Sequence, residues 1–359
     1  MSEKSKKIIL LLSIAALFCF LISGCSKAKS KFKAPKIKMV TPEYILSIDE
    51  PEEGNVWLVG NYGVIFNSFD GGETWEEQNS GVQDMLCDVD FLDSKNGWVS
   101  GIKGTMLHTS DGGYNWVRQT TGTDRHLLAL CFVDTEYGWA VGDFSTILHT
   151  RDGGTTWVSQ SEENDVIYSN IHFTDRSNGW VVGENGTILH TIDGGITWEA
   201  VMPKHFERAT LEEEYTNPRP GLFGVHFTDK DHGWICGLDS TIMYTADGGA
   251  SWELVNSGND ILFNIIVRGD RGWAVGTQGT FLLSTDSGLS WEKQEESIKS
   301  KLLFANVFFS NPQNGWVVGA SGTMVRTTDG GESWKFISGL SYEFEGMKMP
   351  EGLEKRIIE

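Results

Sequence analysis

Along this chain, residue types that ligate metals recur at a nearly fixed spacing. The residue before the Phe of each candidate inner strand is Asp90, Cys131, His172 and His226, with Asp49 in the first unit and Ile266 and Phe308 in the last two. Carboxylate, thiolate and imidazole are donors in zinc and copper sites. Asp90, Cys131, His172 and His226 are therefore candidate metal ligands, against the plainer expectation that polar side chains beside a wet channel need no ion. A second row is His108, His149 and His190, whose counterparts elsewhere are Asn67, Tyr244, Leu283 and Arg326. Three imidazoles on neighbouring units could sense pH, or could cap strand edges as half-buried polar groups. No CxxC, HExxH, P-loop or GxSxG pattern occurs. Cys87, Cys131 and Cys236 are an odd set at irregular spacing, read as small buried side chains and not as a disulfide framework. No catalytic residue and no cofactor is expected.

The elements that must hold these rows are repeats. The pattern Ser/Thr-x-Asp-x-Gly-x-x-Trp occurs seven times, with its Asp at Asp70, Asp111, Asp152, Asp193, Asp247, Asp286 and Asp329. A second marker precedes each box, "VWLVG" at Trp57 and then forms of "GWVVG" at Trp98, Trp139, Trp180, Trp234, Trp273 and Trp316. The marker Trp lies 18 residues before the box Trp in every unit, and the two sets use all 14 Trp of the chain. A period near 41 residues, with Gly-bounded alternating apolar runs, predicts propeller blades. In residues 86–120 the four strands are "LCDVDF", "GWVSG", "GTMLHT" and "NWVRQT", the box forming the turn between the last two. The fold expected is all-β, a seven-bladed β-propeller of four-stranded antiparallel blades over residues 44–348. In each box, Gly supplies positive φ and Asp accepts from backbone N–H groups that the turn leaves unpaired, so the boxes read as fasteners of hairpins. Two segments compete to complete the first blade: "YILSIDEPEEGNVW" at the start and "YEFEGMKMPEG" at the end, where Phe344 falls in the place of Phe304.

Outside the repeats the chain is informative at three places. Residues 1–24 read as an export signal, with basic "MSEKSKK", apolar "IILLLSIAALFCFLI" and then "SGC". "LISGC" resembles a lipobox, which makes Cys25 the lipidated residue and places the mature protein outside the cytoplasm, anchored to the cell membrane or outer membrane. Residues 25–43 form a tether with six Lys between Lys27 and Lys38, and residues 349–359 form a tail. From Tyr44 onward 20 Lys and Arg face 47 Asp and Glu, which excludes a nucleic-acid partner and predicts a partner with a basic face. The fourth and fifth boxes are 54 residues apart where the preceding three intervals are 41. The excess lies in "MPKHFERATLEEEYTNPRPGLF", where "FERATLEEEY" reads as a short amphipathic helix ended by "NPRPG". Glu207, Arg208, Glu212, Tyr215 and Arg219 are its candidate partner-binding residues, since a long loop on a rigid scaffold is where binding residues concentrate.

The run "NGWVVGENGTILHTIDGGITW", repeated round the ring behind a lipobox, resembles the photosystem II stability and assembly factors and their relatives in non-photosynthetic bacteria. The resemblance covers about residues 44–340. It implies a non-enzymatic scaffold, a monomer that holds a membrane-complex subunit during assembly. Asp-boxes also occur in sialidases, which implies the alternative of a cell-surface glycan-binding or glycan-cleaving module. Such enzymes bring an Arg triad and an Arg-Ile-Pro signature; no Arg-Ile-Pro occurs here and only ten Arg are present, among them Arg118, Arg151 and Arg326 beside boxes.

Overall fold

In the computed structural model, the residues described are 44–161, 164–207, 218–295 and 297–337. Within them, four consecutive strands at a time form seven four-stranded antiparallel sheets. The fold is a seven-bladed β-propeller of the kind the repeat requires. In the second blade the strands are Leu86–Phe91, Gly97–Gly101, Met106–Thr109 and Val117–Arg118. The outer strand is shorter than "NWVRQT" because the box holds Asn115 back: both its backbone N–H and its side-chain amide donate to Asp111. Only Val117 and Arg118 reach the ladder, opposite His108 and Leu107.

The first blade is completed from the N-terminal side, by Ile45–Glu52 against Asn55–Gly60. The competing stretch around Phe344 lies outside the described residues, as do Cys25 and residues 208–217, on which most of the expected helix falls. What is described of that insertion is a 3-10 turn at Lys204–Phe206.

Each second strand is a buried run that ends in Gly, with Gly before the Trp as well in the second to seventh blades, and its Trp is at most 3% exposed in all seven. The core sits between blades: every cluster of buried side chains joins two consecutive sheets, including one that joins Trp316 and Val318 of the last blade to Ile45 and Ile48 of the first. A blade alone therefore leaves both faces bare, and the ring is the unit that buries them. The Gly before the marker Trp in the second to seventh blades makes room for this packing. A Cβ at Gly97 or Gly138 would lie 2.4 Å from the ring of Phe91 or Phe132.

The antiparallel path divides the connections between two faces. Boxes and the turns between first and second strands share one face, where Gly112 N–H donates to Lys95 O. The turns between second and third strands share the other face with the connections between blades, where Gly104 N–H donates to Arg125 O. The insertion belongs to this second, loop-bearing face.

Candidate docking site

Each box uses its own Asp and hydroxyl groups to satisfy the backbone N–H groups of its turn. In the fourth, Thr191 Oγ1 donates to Asp193 Oδ1 at 2.8 Å and accepts from Gly195 N–H at 2.9 Å. Thr197 then donates to the same carboxylate twice, from its N–H at 2.9 Å and its hydroxyl at 2.6 Å. The other six repeat this arrangement around Asp70, Asp111, Asp152, Asp247, Asp286 and Asp329. Hydrogen bonds to the charged form favour it, so the Thr74 hydroxyl and N–H hold Asp70 down at about 2, and the Thr197 pair lowers Asp193. These carboxylates are spent on the turn.

The boxes also fasten one blade to the next. The indole N–H of Trp139 donates to Gly194 O in the following box at 3.1 Å, and Trp98, Trp180, Trp234 and Trp273 do likewise to Gly153, Gly248, Gly288 and Gly330. Except at Trp234, whose next blade has Val267, the same Trp stacks on the inner-strand Phe of the next blade, Trp139 on Phe173 at 3.6 Å and Trp180 on Phe227 at 3.5 Å. At the seam between last and first blades Glu50 replaces that Phe and accepts from Trp316 Nε1 at 3.2 Å. The His row stacks on the other face of the Trp: His108, His149 and His190 lie 4.6, 4.7 and 4.9 Å from Trp98, Trp139 and Trp180. Burial lowers all three imidazoles, His149 to about 4.

The inner row has a shared geometry. Each member reaches one blade onward to the backbone there. Asp49 accepts from Phe91 N–H and Asp90 from Phe132 N–H, both at 2.7 Å, and Cys131 Sγ accepts from Phe173 N–H at 3.4 Å. His172 bonds the Phe227 backbone, and His226 Nε2 donates to Val267 O at 3.0 Å. Ile266 cannot continue the row, and Arg268, two residues on and on the same side of the strand, donates from Nε to Phe309 O instead. Asp88 adds a second tie, accepting from Leu130 N–H at 3.0 Å and from Ser47 Oγ at 2.7 Å. Burial raises Asp49 to about 7 and Asp88 to about 6 and lifts Asp90 well above the carboxylate range; it pushes His172 down to about 4 and His226 lower than usual. Among the described residues no three His, Cys, Asp or Glu side chains are grouped to hold a metal. The structure thus places Asp90, Cys131, His172 and His226 as blade-to-blade links. Sequence reading missed Asp88 and Arg268; the period-two alternation that relates 88 to 90 and 266 to 268 was the signal available.

On the loop-bearing face the insertion is bolted down at its base. Phe206, 1% exposed, enters the core between the fourth and fifth blades with Trp180, Ile188 and Leu222. Arg219 Nε donates to Phe206 O at 3.1 Å, closing the two ends of the insertion on each other. Beside this clasp lies a cleft of about 220 Å³, with Phe206, Pro218, Pro220 and Leu254 as apolar wall and His205, Asp239 and Thr241 as polar lining. Of the candidate residues Glu207 and Arg219 flank this base, whereas Arg208, Glu212 and Tyr215 lie outside the described residues.

Fold and boxes together define an Asp-box seven-bladed β-propeller. The family described as "Photosynthesis system II assembly factor YCF48" matches residues 26–122, 78–166, 118–205, 159–219, 205–302 and 291–347, and the chain belongs to this family. Photosystem II assembly lipoprotein Ycf48 of Prochlorococcus marinus is 37% identical over 90 residues, 23% of this chain and 26% of the relative. Photosystem II assembly protein Ycf48 of Thermosynechococcus vestitus is 40% identical over 48 residues, 12% of this chain and 14% of the relative. The chain thus spans about a quarter of the first relative's length and less of the second's. Among solved structures, YCF48 bound to D1 peptide superposes with a TM-score of 0.65 at 21% identity, covering 86% of this chain and 99% of that one. YCF48 from Cyanidioschyzon merolae gives 0.64 at 20%, covering 80% and 97%. A GH74 xyloglucanase from Xanthomonas campestris gives 0.67 at 10%, covering 84% and 55%. At these identities the likeness to solved structures is one of fold.

Proposed function

We propose that this chain is a non-enzymatic, lipid-anchored scaffold outside the cytoplasm that docks a protein partner, in the assembly or stabilisation of a membrane complex. Residues 1–24 are its signal, Cys25 its lipid-bearing residue, 25–43 its tether, 44–348 its propeller and 349–359 its tail. Family membership supports the role, a relative named a lipoprotein supports the anchor, and a family propeller solved with a bound peptide supports a protein as ligand. The observation that carries the reading is the clasp at Phe206 and Arg219. A fold whose other distinctive side chains are spent on internal links fixes one long insertion to its core, as a presented binding loop requires. The partner is a membrane-complex subunit with a basic face, bound by Glu207, Arg208, Glu212, Tyr215 and Arg219.

The test is capture of the lipidated protein from its own membranes, beside a form lacking residues 208–217, with mass spectrometry of what accompanies each. That deletion spares Phe206 and Arg219, so the core stays closed. A specific membrane subunit present with the full chain and absent with the deletion is the expected result. Recovery of the chain alone would contradict the reading and shift weight to a glycan ligand.

A further inference from the structure

Seven near-identical blades offer a partner seven near-identical ways to dock, and one cleft breaks that symmetry. In each blade the residue just before the box pairs across the ladder with a residue of the outer strand. That outer residue is Glu76, Glu199, Glu253 or Glu292 in four blades and Val117 or Val158 in two. In the seventh blade the pair is Arg326 opposite Lys335. Like charges directly opposite on one face of a sheet repel. The arrangement is the reverse of its counterparts, in a chain of net charge −20.

These two cations line a cleft of about 310 Å³ between the outer strands of the seventh blade and the box of the first, walled by Trp334 and Ile337 with Thr328 at its side. Arg326 is held in place, its Nη1 donating to Gly71 O at 2.8 Å and its guanidinium 5.3 Å from the Trp316 ring. Its Nε is buried and has no partner among the described residues. Among the described residues Lys335 meets Glu73, at 3.3 Å, with side chains 71% and 66% exposed. An exposed pair of that kind contributes little, so Lys335 is weakly held.

We infer that this cleft receives a carboxylate side chain from an acidic, extended segment of the partner protein, its apolar neighbours resting on Trp334 and Ile337. The inference rests on the docking reading and adds registration to it. A partner whose main face is basic is drawn to the whole acidic ring, whereas an acidic segment on it finds one cationic corner and so fixes which blade lies where. Specificity here is attraction at one position, against repulsion by Glu at four others and no charge at the two Val positions.

The probe is a blocked hexapeptide of alternating Glu and Val, with its Gln-and-Val counterpart, titrated at low salt into the full chain while the Trp334 indole resonance is followed. Saturable shifts with the Glu peptide, and binding at least about fivefold weaker for the Gln peptide, are expected from the loss of ion pairs. K335E is expected to lose binding to the same degree and K335R to retain it; both lie on an exposed side chain and leave the fold intact. Equal response to the two peptides, or K335E binding as the unaltered chain does, would overturn the inference. Partner capture is a separate readout, so peptide binding that survives a failed capture would count against the docking reading and not against the cleft.

Discussion

Asp193 carries a charge that its own turn consumes. With Thr191 and Thr197 donating to it from three groups, its replacement by Ala should cost about 1 kcal/mol, the scale of a lost helix cap, read as a lower urea midpoint. Partner capture should be unchanged. The sign with pH follows from the lowered carboxylates of Asp70 and Asp193. A folded-state value below the unfolded one contributes stability that is present above pH ~4 and is lost as pH falls toward ~2. The Asp and Gly roles in the box were legible in the sequence because seven copies display which positions are fixed, whereas the expected partner for the box indole N–H is missing at Trp116, Trp198 and Trp252 among the described residues. The Arg326 and Lys335 pair was not legible, since each residue is unremarkable alone and becomes informative only when the ladder sets them opposite each other.

At the scale of the strand, the inner row behaves oppositely to the boxes. Asp49 accepts two backbone N–H bonds, from Glu50 and Phe91, yet burial raises it to about 7. Its native state keeps a proton that the unfolded chain releases above pH ~4, so its contribution is full below pH ~4 and is lost as pH rises through ~7. His172, depressed to about 4, does the reverse and loses its contribution as pH falls from ~6.5 to ~4. Because the two oppose each other, comparison with D49N reads the first: stability of the unaltered chain relative to D49N should grow as pH falls from ~7 to ~4. Parallel pH profiles would show that Asp49 titrates as an ordinary carboxylate. Phe173, which receives the stacked Trp139 at 3.6 Å, gives a second prediction for the element. F173A should cost about 3–5 kcal/mol by the loss of a buried ring, measured by urea unfolding. The chemistry of the row was visible in the sequence, but its partners were not. A link of this kind joins residues at least 41 apart in chain, as Asp49 joins Phe91, and becomes readable only once consecutive blades are known to touch.

The seven blades close into a ring whose core lies at the joints between them. An excess of acidic side chains over the propeller predicts partner association that weakens as salt is raised from low to physiological levels; affinity measured by calorimetry and unchanged across that range would refute the electrostatic part. Blade number and strand order followed from the repeat alone, because a period near 41 residues with paired Trp markers admits few architectures. Ring closure did not, since two terminal segments had equivalent patterns and packing of Ile45 and Ile48 against Trp316 and Val318 settled the first blade. The central claim is that boxes hold the ring and the insertion holds the partner. It is tested most directly by measuring unfolding midpoint and partner capture together for D193A and for the form lacking residues 208–217. D193A is expected to lose stability and keep the partner, while the deletion keeps stability and loses the partner. D193A that kept its stability and lost the partner would contradict that claim.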